Sequence, residues 1–191
     1  MKIFLSENLK VPEKLLSIYT TRSQAIQINK IIKNYITTDC ILTDATAGIG
    51  GNSVYFIKEF KSVNLVEKDS DIFKFLVENT QVAHCNSKII KKYNCSYNTI
   101  KFVLQQDIIF IDPPWGGDNY KTLSNIDLFL DDINVIDIID DLYRFTQIVA
   151  LKVPNNFNTG KLNNNFWKYN IYNITKLHKN LYMLIIFHKQ I

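Results

Sequence analysis

The sequence predicts an α/β protein with a mostly parallel sheet and a C-terminal antiparallel hairpin. Short apolar runs alternate with stretches of helical periodicity, as in parallel sheets covered by helices. One run, Ile108–Ile111, is apolar at every position, which is typical of a strand buried on both faces. Two β-rich runs, Tyr169–Lys176 and Leu181–His188, flank a short polar turn and predict a hairpin.

The size and composition of the chain are those of a globular protein. With 191 residues, of which 47% are hydrophobic and 21% charged, we expect one domain over residues 1–191, with residues 1–20 as a short N-terminal arm. The formal net charge of +4 is compatible with a nucleic-acid partner and does not by itself indicate one.

Cysteine and histidine spacing predicts neither a disulfide framework nor a metal site. No Cys-x-x-Cys motif is present, and the histidines show no ligand spacing. These residues are Cys40, Cys85, Cys95, His84, His178 and His188. The sequence has no signal-peptide pattern and no apolar run of the roughly 18 residues that a membrane span requires. We therefore expect an intracellular protein, cytoplasmic or nuclear (host cytoplasm if viral), with no membrane partner.

The first half of the chain predicts three strands, two helices that follow strands, and a preceding helix. Residues 1–17 are mixed and predict a strand or an arm, and Thr21 or Ser23 is placed to cap the helix that follows. The predicted elements are a helix over 23–35, a strand over Ile41–Asp44, a helix over 53–60, a strand over 63–66, a helix from Ser70 to about Val82, and a strand over Ile89–Tyr93.

The second half predicts the buried strand Ile108–Ile111, a later helix and strand, and the terminal hairpin. Residues 99–105 predict a helix or an irregular connection, and the acidic stretch 125–145 predicts a loop followed by a helix from about Val135. A strand over 148–153 is closed by Pro154, and the asparagine-rich run 155–165 has the composition of a loop.

A small-residue loop and an acid predict a nucleotide-type site at the carboxyl ends of the strands. Gly48, Gly50 and Gly51 follow the first parallel strand and permit close backbone approach. Glu67 follows the next strand, roughly twenty residues after the loop, and is placed to accept hydrogen bonds from ribose hydroxyls. The Gly48-Ile-Gly-Gly spacing departs from the Gly-x-Gly-x-x-Gly of dinucleotide sites, which argues against an NAD-dependent enzyme.

The stretch after Ile111 predicts a site for a planar group that carries an amine. Pro113 and Pro114 cannot continue a central strand, so their carbonyls are left as acceptors beside Asp112. Trp115 offers a flat aromatic face, and Gly116 and Gly117 allow a tight turn of the backbone. The ring of a ligand can stack on Trp115 while its amine hydrogens are accepted by Asp112 and the Pro113 carbonyl.

Together these motifs resemble the class I S-adenosylmethionine-dependent methyltransferases, and more closely the trimethylguanosine synthase family of RNA cap guanine-N2 methyltransferases. The resemblance covers most of residues 19–190. It rests on four segments: Asp44-Ala-Thr-Ala-Gly-Ile-Gly-Gly-Asn-Ser53, Glu67-Lys-Asp69, Asp112-Pro-Pro-Trp-Gly-Gly-Asp-Asn-Tyr120 and Leu151-Lys-Val-Pro-Asn155. It implies a Rossmann-like, mostly parallel sheet of seven strands, S-adenosylmethionine as cofactor, and capped RNA or a 7-methylguanosine cap as partner.

The resemblance also assigns roles to individual residues. The implied cofactor-binding residues are Thr21, Asp44, Thr46, Ala47, Gly48, Gly50, Gly51, Asn52, Glu67, Lys68 and Asp112. The implied catalytic residues are Asp112, Pro113, Pro114 and Trp115. The implied substrate-binding residues are Trp115, Tyr120, Lys152 and Asn155.

The chain departs from the family at four places. The family usually has serine at position 112, and its Pro-Arg-Asn is Pro154-Asn155-Asn156 here, so Lys152 or another lysine would have to meet the cap phosphates. The acid that the family carries near the adenine is absent from Cys95-Ser-Tyr97. Only about twenty residues precede the domain, whereas the family builds part of its cap pocket from a longer N-terminal extension. A protein partner could therefore complete the cap pocket.

Two alternatives remain open. Asp112-Pro-Pro-Trp also resembles adenine-N6 and cytosine-N4 methyltransferases, which use the same amine geometry on a flipped-out or single-stranded base. A catalytically inactive binding subunit with a methyltransferase fold is supported by the missing acid and the short N-terminal arm. The range of acceptors that are methylated distinguishes these alternatives.

Overall fold

The structure is a computed structural model of the chain. It describes residues 3–5, 9–16, 19–81, 88–164, 169–178 and 180–188. Contacts divide the chain into two compact units, residues 1–97 and residues 98–191. Each unit is described by itself, and a single domain with an N-terminal arm stays a prediction.

Unit one begins with two short antiparallel strands and continues with strands that alternate with helices. Its described elements are β1 (Ile3–Leu5), β2 (Leu9–Val11), a 3-10 turn (Glu13–Leu15), α1 (Arg22–Lys33), β3 (Ile41–Asp44), α2 (Ser53–Glu59), β4 (Ser62–Val66), α3 (Ser70–Gln81) and β5 (Ile89–Tyr93). A fourth helix, α4 (Tyr97–Ile100), begins at the last residue of this unit.

The three parallel strands of unit one end together. β4 pairs in parallel with β3 on one side and with β5 on the other, and Asp44 lies opposite Leu65 while Val66 lies opposite Tyr93. β3 and β4 are buried along most of their length. The residues that follow each strand therefore meet at one edge, which is where the glycine loop and Glu67 begin.

Asn79 connects three parts of unit one. It lies in α3 and is 2% exposed. Its Oδ1 accepts from the Lys10 backbone N–H at 2.7 Å, and its Nδ2 donates to the Lys10 carbonyl at 3.1 Å and to the Ile49 carbonyl at 2.8 Å. A buried amide that is fully paired stabilises the arrangement it pairs with, so α3 fixes both β2 and the glycine loop.

Unit two carries four longer strands with helices and a small strand pair between them. Its described elements after α4 are β6 (Ile108–Ile111), a 3-10 helix (Gly117–Thr122), β7 (Phe129–Leu130), β8 (Ile133–Asn134), α5 (Val135–Asp141), β9 (Ile148–Pro154), α6 (Gly160–Asn164), β10 (Tyr169–His178) and β11 (Leu181–His188).

The register of β6 against β9 positions the end of β6. The two strands pair in parallel from Ile108 opposite Ile148 to Ile111 opposite Leu151, and all four residues of β6 are buried. β9 pairs on its other side with β11 in antiparallel fashion, and β11 pairs with β10 as a hairpin. Position 112 thus follows β6 at the level of Lys152 in β9.

The predicted fold class is confirmed. A seven-stranded sheet, mostly parallel, is present, and β10 and β11 form the predicted antiparallel hairpin. None of the helices in the described part of the chain has the length and hydropathy of a membrane-spanning segment. The described cysteines, Cys40 and Cys95, are free, and Cys85 with His84 lies outside the described residues.

Several local predictions are corrected. Residues 97–100 form a helix that begins two residues before the predicted segment, and part of the predicted loop 155–165 is α6. The predicted loop before α5 contains the β7–β8 pair, whose turn residues Asp131 and Asp132 have φ of 51° and 65°. Aspartate tolerates this left-handed backbone, but without glycine the turn lacks the usual hairpin signal. Predicted residue Val82 lies outside the described residues.

His188 is a buried ionisable residue in the core of unit two. It is 6% exposed, and its Nδ1 lies 2.9 Å from the Thr146 carbonyl, to which it donates. The Thr146 hydroxyl donates to the Asp107 carbonyl at 2.7 Å, so this chain of hydrogen bonds joins the ends of β11, β9 and β6. Burial lowers the pKa of His188, against the smaller opposing effects of its backbone hydrogen bonds and of Asp140.

We expect stability to fall on acidification because of His188. The unfolded residue takes up a proton below about pH 6.5, whereas the folded residue does so only at lower pH. The contribution of neutral, buried His188 to the free energy of unfolding is therefore full above pH 6.5 and is lost as the pH falls towards the folded pKa. Thermal unfolding between neutral and acidic pH measures this loss as a decrease in Tm, of about 2–4 °C for each kcal/mol.

The His188→Asn variant should show a smaller decrease in Tm on acidification than the wild type. His178→Asn is the matched control, since the His178 side chain is exposed. An unchanged pH dependence in His188→Asn would contradict the assignment.

Candidate active site

Asp44 organises the start of the glycine loop in unit one. It is the last residue of β3 and is 1% exposed. Its Oδ2 accepts from the Ser53 hydroxyl at 2.7 Å, and its Oδ1 accepts from the Thr46 N–H at 3.4 Å. The carboxylate therefore connects the end of β3 to the first residue of α2, so Asp44 shapes the loop between them.

The glycines of the loop have two different roles. A Cβ on Gly50, whose φ is +94°, would lie 3.2 Å from Leu76 Cδ1, and one on Gly51 would lie 3.0 Å from the Thr20 carbonyl oxygen. Both positions are packed against protein. Gly48 has φ of +55°, and a Cβ there would meet nothing within 4 Å. The backbone at Gly48 therefore borders open space, as close approach of a ligand requires.

Glu67 is held against this loop from the end of β4. Its Oε2 accepts from the Gly48 N–H at 2.9 Å, and its Oε1 accepts from the Asp69 N–H at 2.8 Å. Burial raises the pKa of Glu67, and the hydrogen bonds from Asp69 and Gly48 partly offset this rise. The loop and the carboxylate thus form one rigid group, with the acid beside the open backbone of Gly48.

These residues fit the adenosine part of S-adenosylmethionine. The open space at Gly48 admits a ligand close to the backbone, and a carboxylate offers about four acceptor sites, of which the two backbone N–H groups occupy only part. Ribose hydroxyls are donors that a carboxylate binds well.

Of the other predicted cofactor residues of unit one, Ala47 and Asn52 belong to the glycine loop, and Thr21 and Lys68 lie outside it. The Ala47 N–H donates to the Val66 carbonyl at 2.9 Å, which attaches the loop to β4. Asn52 is 7% exposed, and its Nδ2 donates to the Thr20 hydroxyl at 3.1 Å. Thr21 caps α1 and its backbone N–H donates to Gln24 Oε1 at 3.0 Å. Lys68 is exposed.

The segment after β6 in unit two changes direction sharply. Pro113 is buried and Pro114 is exposed. Gly116 and Gly117 follow with φ of +83° and +71°, and the chain then enters the 3-10 helix Gly117–Thr122. Because L-residues rarely adopt two successive left-handed conformations, the glycine pair is what returns Tyr120 towards Trp115.

Asp112 is paired with Lys152. Lys152 Nζ lies 2.6 Å from Asp112 Oδ2, and the exposed fractions of the two side chains are 7% and 19%. The register of β6 and β9 explains the pair, since side chains at neighbouring positions of parallel strands project on the same face. Two predicted site residues, one assigned to the amine and the other to cap phosphates, are thus partners of each other.

Trp115 lies beside this ion pair. Its ring is 5.2 Å from the Tyr120 ring at an interplanar angle of 83°, and Lys152 Nζ is 5.9 Å from the Trp115 ring centroid. The Trp115 Nε1–H is buried and has no hydrogen-bond partner among the described residues. The structure therefore brings four predicted site residues of unit two together: Asp112, Trp115, Tyr120 and Lys152.

Asn155 and Asn156 have different roles in the loop after β9. The side chain of Asn155 is exposed, and its backbone N–H donates to the Asn180 carbonyl at 3.1 Å. Asn156 Nδ2 donates to the carbonyls of Tyr120 at 2.7 Å and Leu123 at 2.8 Å. Asn156 thus holds the 3-10 helix that carries Tyr120, a role that the sequence analysis missed.

The chemistry of this cluster suits recognition of an aromatic amine. The Asp112 carboxylate is an acceptor in the same cluster as the Trp115 ring, and the formal charges of Asp112 and Lys152 sum to zero. No group of three or more His, Cys, Asp or Glu side chains that could hold a metal occurs in the part of the chain that the structure describes.

Comparisons with known proteins place the chain in a family. The family model for RNA cap guanine-N2 methyltransferases matches residues 38–188. Protein L320 of Acanthamoeba polyphaga mimivirus, which is uncharacterized, is 36% identical over 120 residues, covering 61% of this chain and 47% of that protein. The trimethylguanosine synthase of Schizosaccharomyces pombe is 23% identical over 156 residues, covering 75% of this chain and 62% of that protein.

The fold agrees with this match. The crystal structure of a candidate methyltransferase from Porphyromonas gingivalis W83 superposes with a TM-score of 0.68 at 11% identity, covering 94% of this chain and 43% of that chain. At that identity the likeness shows the fold alone. The family match together with this fold implies S-adenosylmethionine as the cofactor. The family model matches well over half of the residues, and the chain therefore belongs to the RNA cap guanine-N2 methyltransferase family.

Proposed function

We propose that this chain transfers a methyl group from S-adenosylmethionine to the exocyclic N2 amine of 7-methylguanosine in an RNA cap. The observation that carries the proposal is the cluster after β6, where the Asp112–Lys152 ion pair lies beside the aromatic pair of Trp115 and Tyr120. Family membership supports the same reaction. The chain spans 47% and 62% of the two curated relatives, so activity, substrate and partners are proposals for this chain.

The residues of unit one hold the cofactor in this proposal. Glu67 accepts hydrogen bonds from the ribose hydroxyls, the backbone at Gly48 permits close approach, and Asp44 keeps the loop in shape. When bound, S-adenosylmethionine supplies a methyl group that its sulfonium activates for transfer.

The residues of unit two orient the acceptor amine. The lone pair of this amine is delocalised into the ring, so orientation is the main contribution that the protein makes, and it can amount to several kcal/mol. Asp112 and the Pro113 carbonyl accept the amine hydrogens and stabilise the positive charge that develops on the nitrogen. Trp115 stacks on the base, and the cationic ring of 7-methylguanine adds a cation–π attraction of about 1–2 kcal/mol.

A second candidate function follows from one residue. The chain has Asp112 where the family usually has serine. Asp112-Pro-Pro-Trp is similar to the motif of adenine-N6 and cytosine-N4 methyltransferases. The same cluster could then orient the amine of adenine or cytosine in a nucleic acid.

Transfer of labelled methyl to three acceptors separates the candidates: 7-methyl-GTP, GTP and an uncapped mixed-sequence oligonucleotide. We expect label on 7-methyl-GTP alone. Label on the oligonucleotide alone would overturn the cap assignment in favour of the second candidate. Cofactor binding without label on any acceptor would count against activity of the isolated chain and favour a partner-dependent or inactive protein.

Replacing Trp115 with alanine should weaken binding of 7-methyl-GTP by roughly tenfold or more, because stacking and the cation–π attraction are both lost. Cofactor affinity should be unchanged. Isothermal titration of each ligand measures both effects, and Trp115→Phe, which keeps a ring, is the matched control. Equal loss of both affinities in Trp115→Ala would refute the assignment.

Cofactor affinity should decrease as the pH is lowered, because burial raises the pKa of Glu67 above the ordinary value of 4.5. The ionised carboxylate is the better acceptor for ribose hydroxyls, so affinity is full above the raised pKa and is lost as the pH falls through it. Titration of S-adenosylhomocysteine across this acidic range measures the effect.

Glu67→Gln should bind the cofactor roughly tenfold or more weakly and with little pH dependence, since the loss of a charged hydrogen bond costs about 1.5–3 kcal/mol. Asp71→Asn is the control, because Asp71 is an exposed carboxylate paired with Lys74. Retention of the wild-type pH profile by Glu67→Gln would show that another group is responsible.

A further inference from the structure

Lys152 occupies an unusual position for a lysine in a cap-binding cluster. It is 6% exposed, lies in the interior strand β9 between β6 and β11, and has its Nζ 5.9 Å from the Trp115 ring centroid. A lysine that contacts phosphates would be expected to reach into solvent. This lysine is instead directed at Asp112, at 2.6 Å.

A lysine cation beside the stacking ring has a direct effect on selectivity. A base that stacks on Trp115 comes within several ångströms of Lys152 Nζ. If that base carries the positive charge of 7-methylation, an unbalanced Lys152 repels it, whereas an uncharged guanine is affected little. At such distances in a partly buried site, the repulsion of two unit charges changes a binding constant by roughly tenfold or more.

We propose that Asp112 is a specificity-determining residue because it neutralises Lys152. The Asp112 carboxylate offsets the lysine charge that lies 5.9 Å from the Trp115 ring centroid, so that repulsion from Lys152 does not cancel the cation–π attraction of the ring for a 7-methylated purine. This inference rests on the proposed function and adds the electrostatic means by which a cationic purine is preferred. It also gives Lys152 a role as partner of Asp112, in place of a contact with phosphate.

The test compares two ligands that differ only in the N7 methyl group and its charge, 7-methyl-GTP and GTP. The ratio of their dissociation constants is measured by isothermal titration for the wild type and for Asp112→Asn, Lys152→Met and the double variant. Because both ligands carry the same triphosphate, phosphate attraction cancels in the ratio. The ratio is also independent of the folded fraction, so a variant that is only partly folded still reports on selectivity.

The expected pattern follows from charge alone. Asp112→Asn removes the negative charge beside Lys152, so the preference of this variant for 7-methyl-GTP should fall by roughly tenfold. Lys152→Met removes the positive charge and keeps the carboxylate, so the preference should stay or rise. The double variant removes both charges of the pair and should return to within about threefold of the wild-type ratio.

The chain offers a matched control pair. Lys101 Nζ lies 2.6 Å from Asp141 Oδ2, and Lys101 is buried like Lys152. The aromatic ring beside Lys101 Nζ is that of Phe102, at 4.9 Å from its centroid, so Asp141→Asn removes the charged partner of a different buried lysine and should leave the selectivity ratio unchanged. A fall in this control equal to that of Asp112→Asn would show a general effect of charge and would overturn the proposal.

Failure of this inference is distinguishable from failure of the proposed function. If the wild type prefers 7-methyl-GTP and the ratio is the same in all variants, the neutralisation proposal is overturned while cap recognition stands. If the double variant loses selectivity as Asp112→Asn does, Asp112 favours the N7-methylated base without acting through Lys152, and the neutralisation proposal is overturned. If the wild type shows no preference, both proposals fail.

Discussion

The parallel pairing of β6 with β9 is the constraint on which the candidate acceptor site depends. With Ile111 opposite Leu151, the next residue of each strand is Asp112 and Lys152, so the ion pair follows from backbone hydrogen bonds made in the core. A one-residue change of register would turn one partner to the opposite face of the sheet. The pair needs no flexible loop to bring it together, and burial of β6 on both faces makes such a change costly.

Unit one uses a different device, in which buried polar side chains fix a glycine-rich loop. Asn79 holds the Ile49 carbonyl from α3, Asp44 joins the loop to α2, and Glu67 accepts the Gly48 N–H. Gly50 and Gly51 are pressed against neighbouring atoms, and Gly48 alone faces open space. The loop is therefore preformed, so little ordering entropy should oppose the binding of a cofactor.

The fold and the strand-end acids could be predicted from sequence because their signals are local. The apolar run that stops at Asp112 and the strand that stops before Glu67 each mark a boundary within a few residues. The Asp112–Lys152 pair could not be predicted in this way, because it depends on the register of strands forty residues apart. Asn79 and Asn156 were missed for a similar reason, since their partners lie 69 and 36 residues away in the chain. Neither has a local signal of its role, since Asn79 is one polar residue within a helical pattern and Asn156 is one of several asparagines in a predicted loop.

The two adjacent asparagines after β9 differ in whether their side chains support the site. Asn156 carries the structural duty of holding the 3-10 helix, whereas the side chain of Asn155 is exposed and only its backbone is used. A residue can therefore be exchanged at position 155 without changing the shape of the site. This arrangement explains how the chain can have asparagine where the family has arginine and still keep its aromatic pair in place. A side-chain substitution at position 155 should therefore leave Tyr120 in place, whereas one at position 156 removes the hydrogen bonds to the carbonyls of Tyr120 and Leu123.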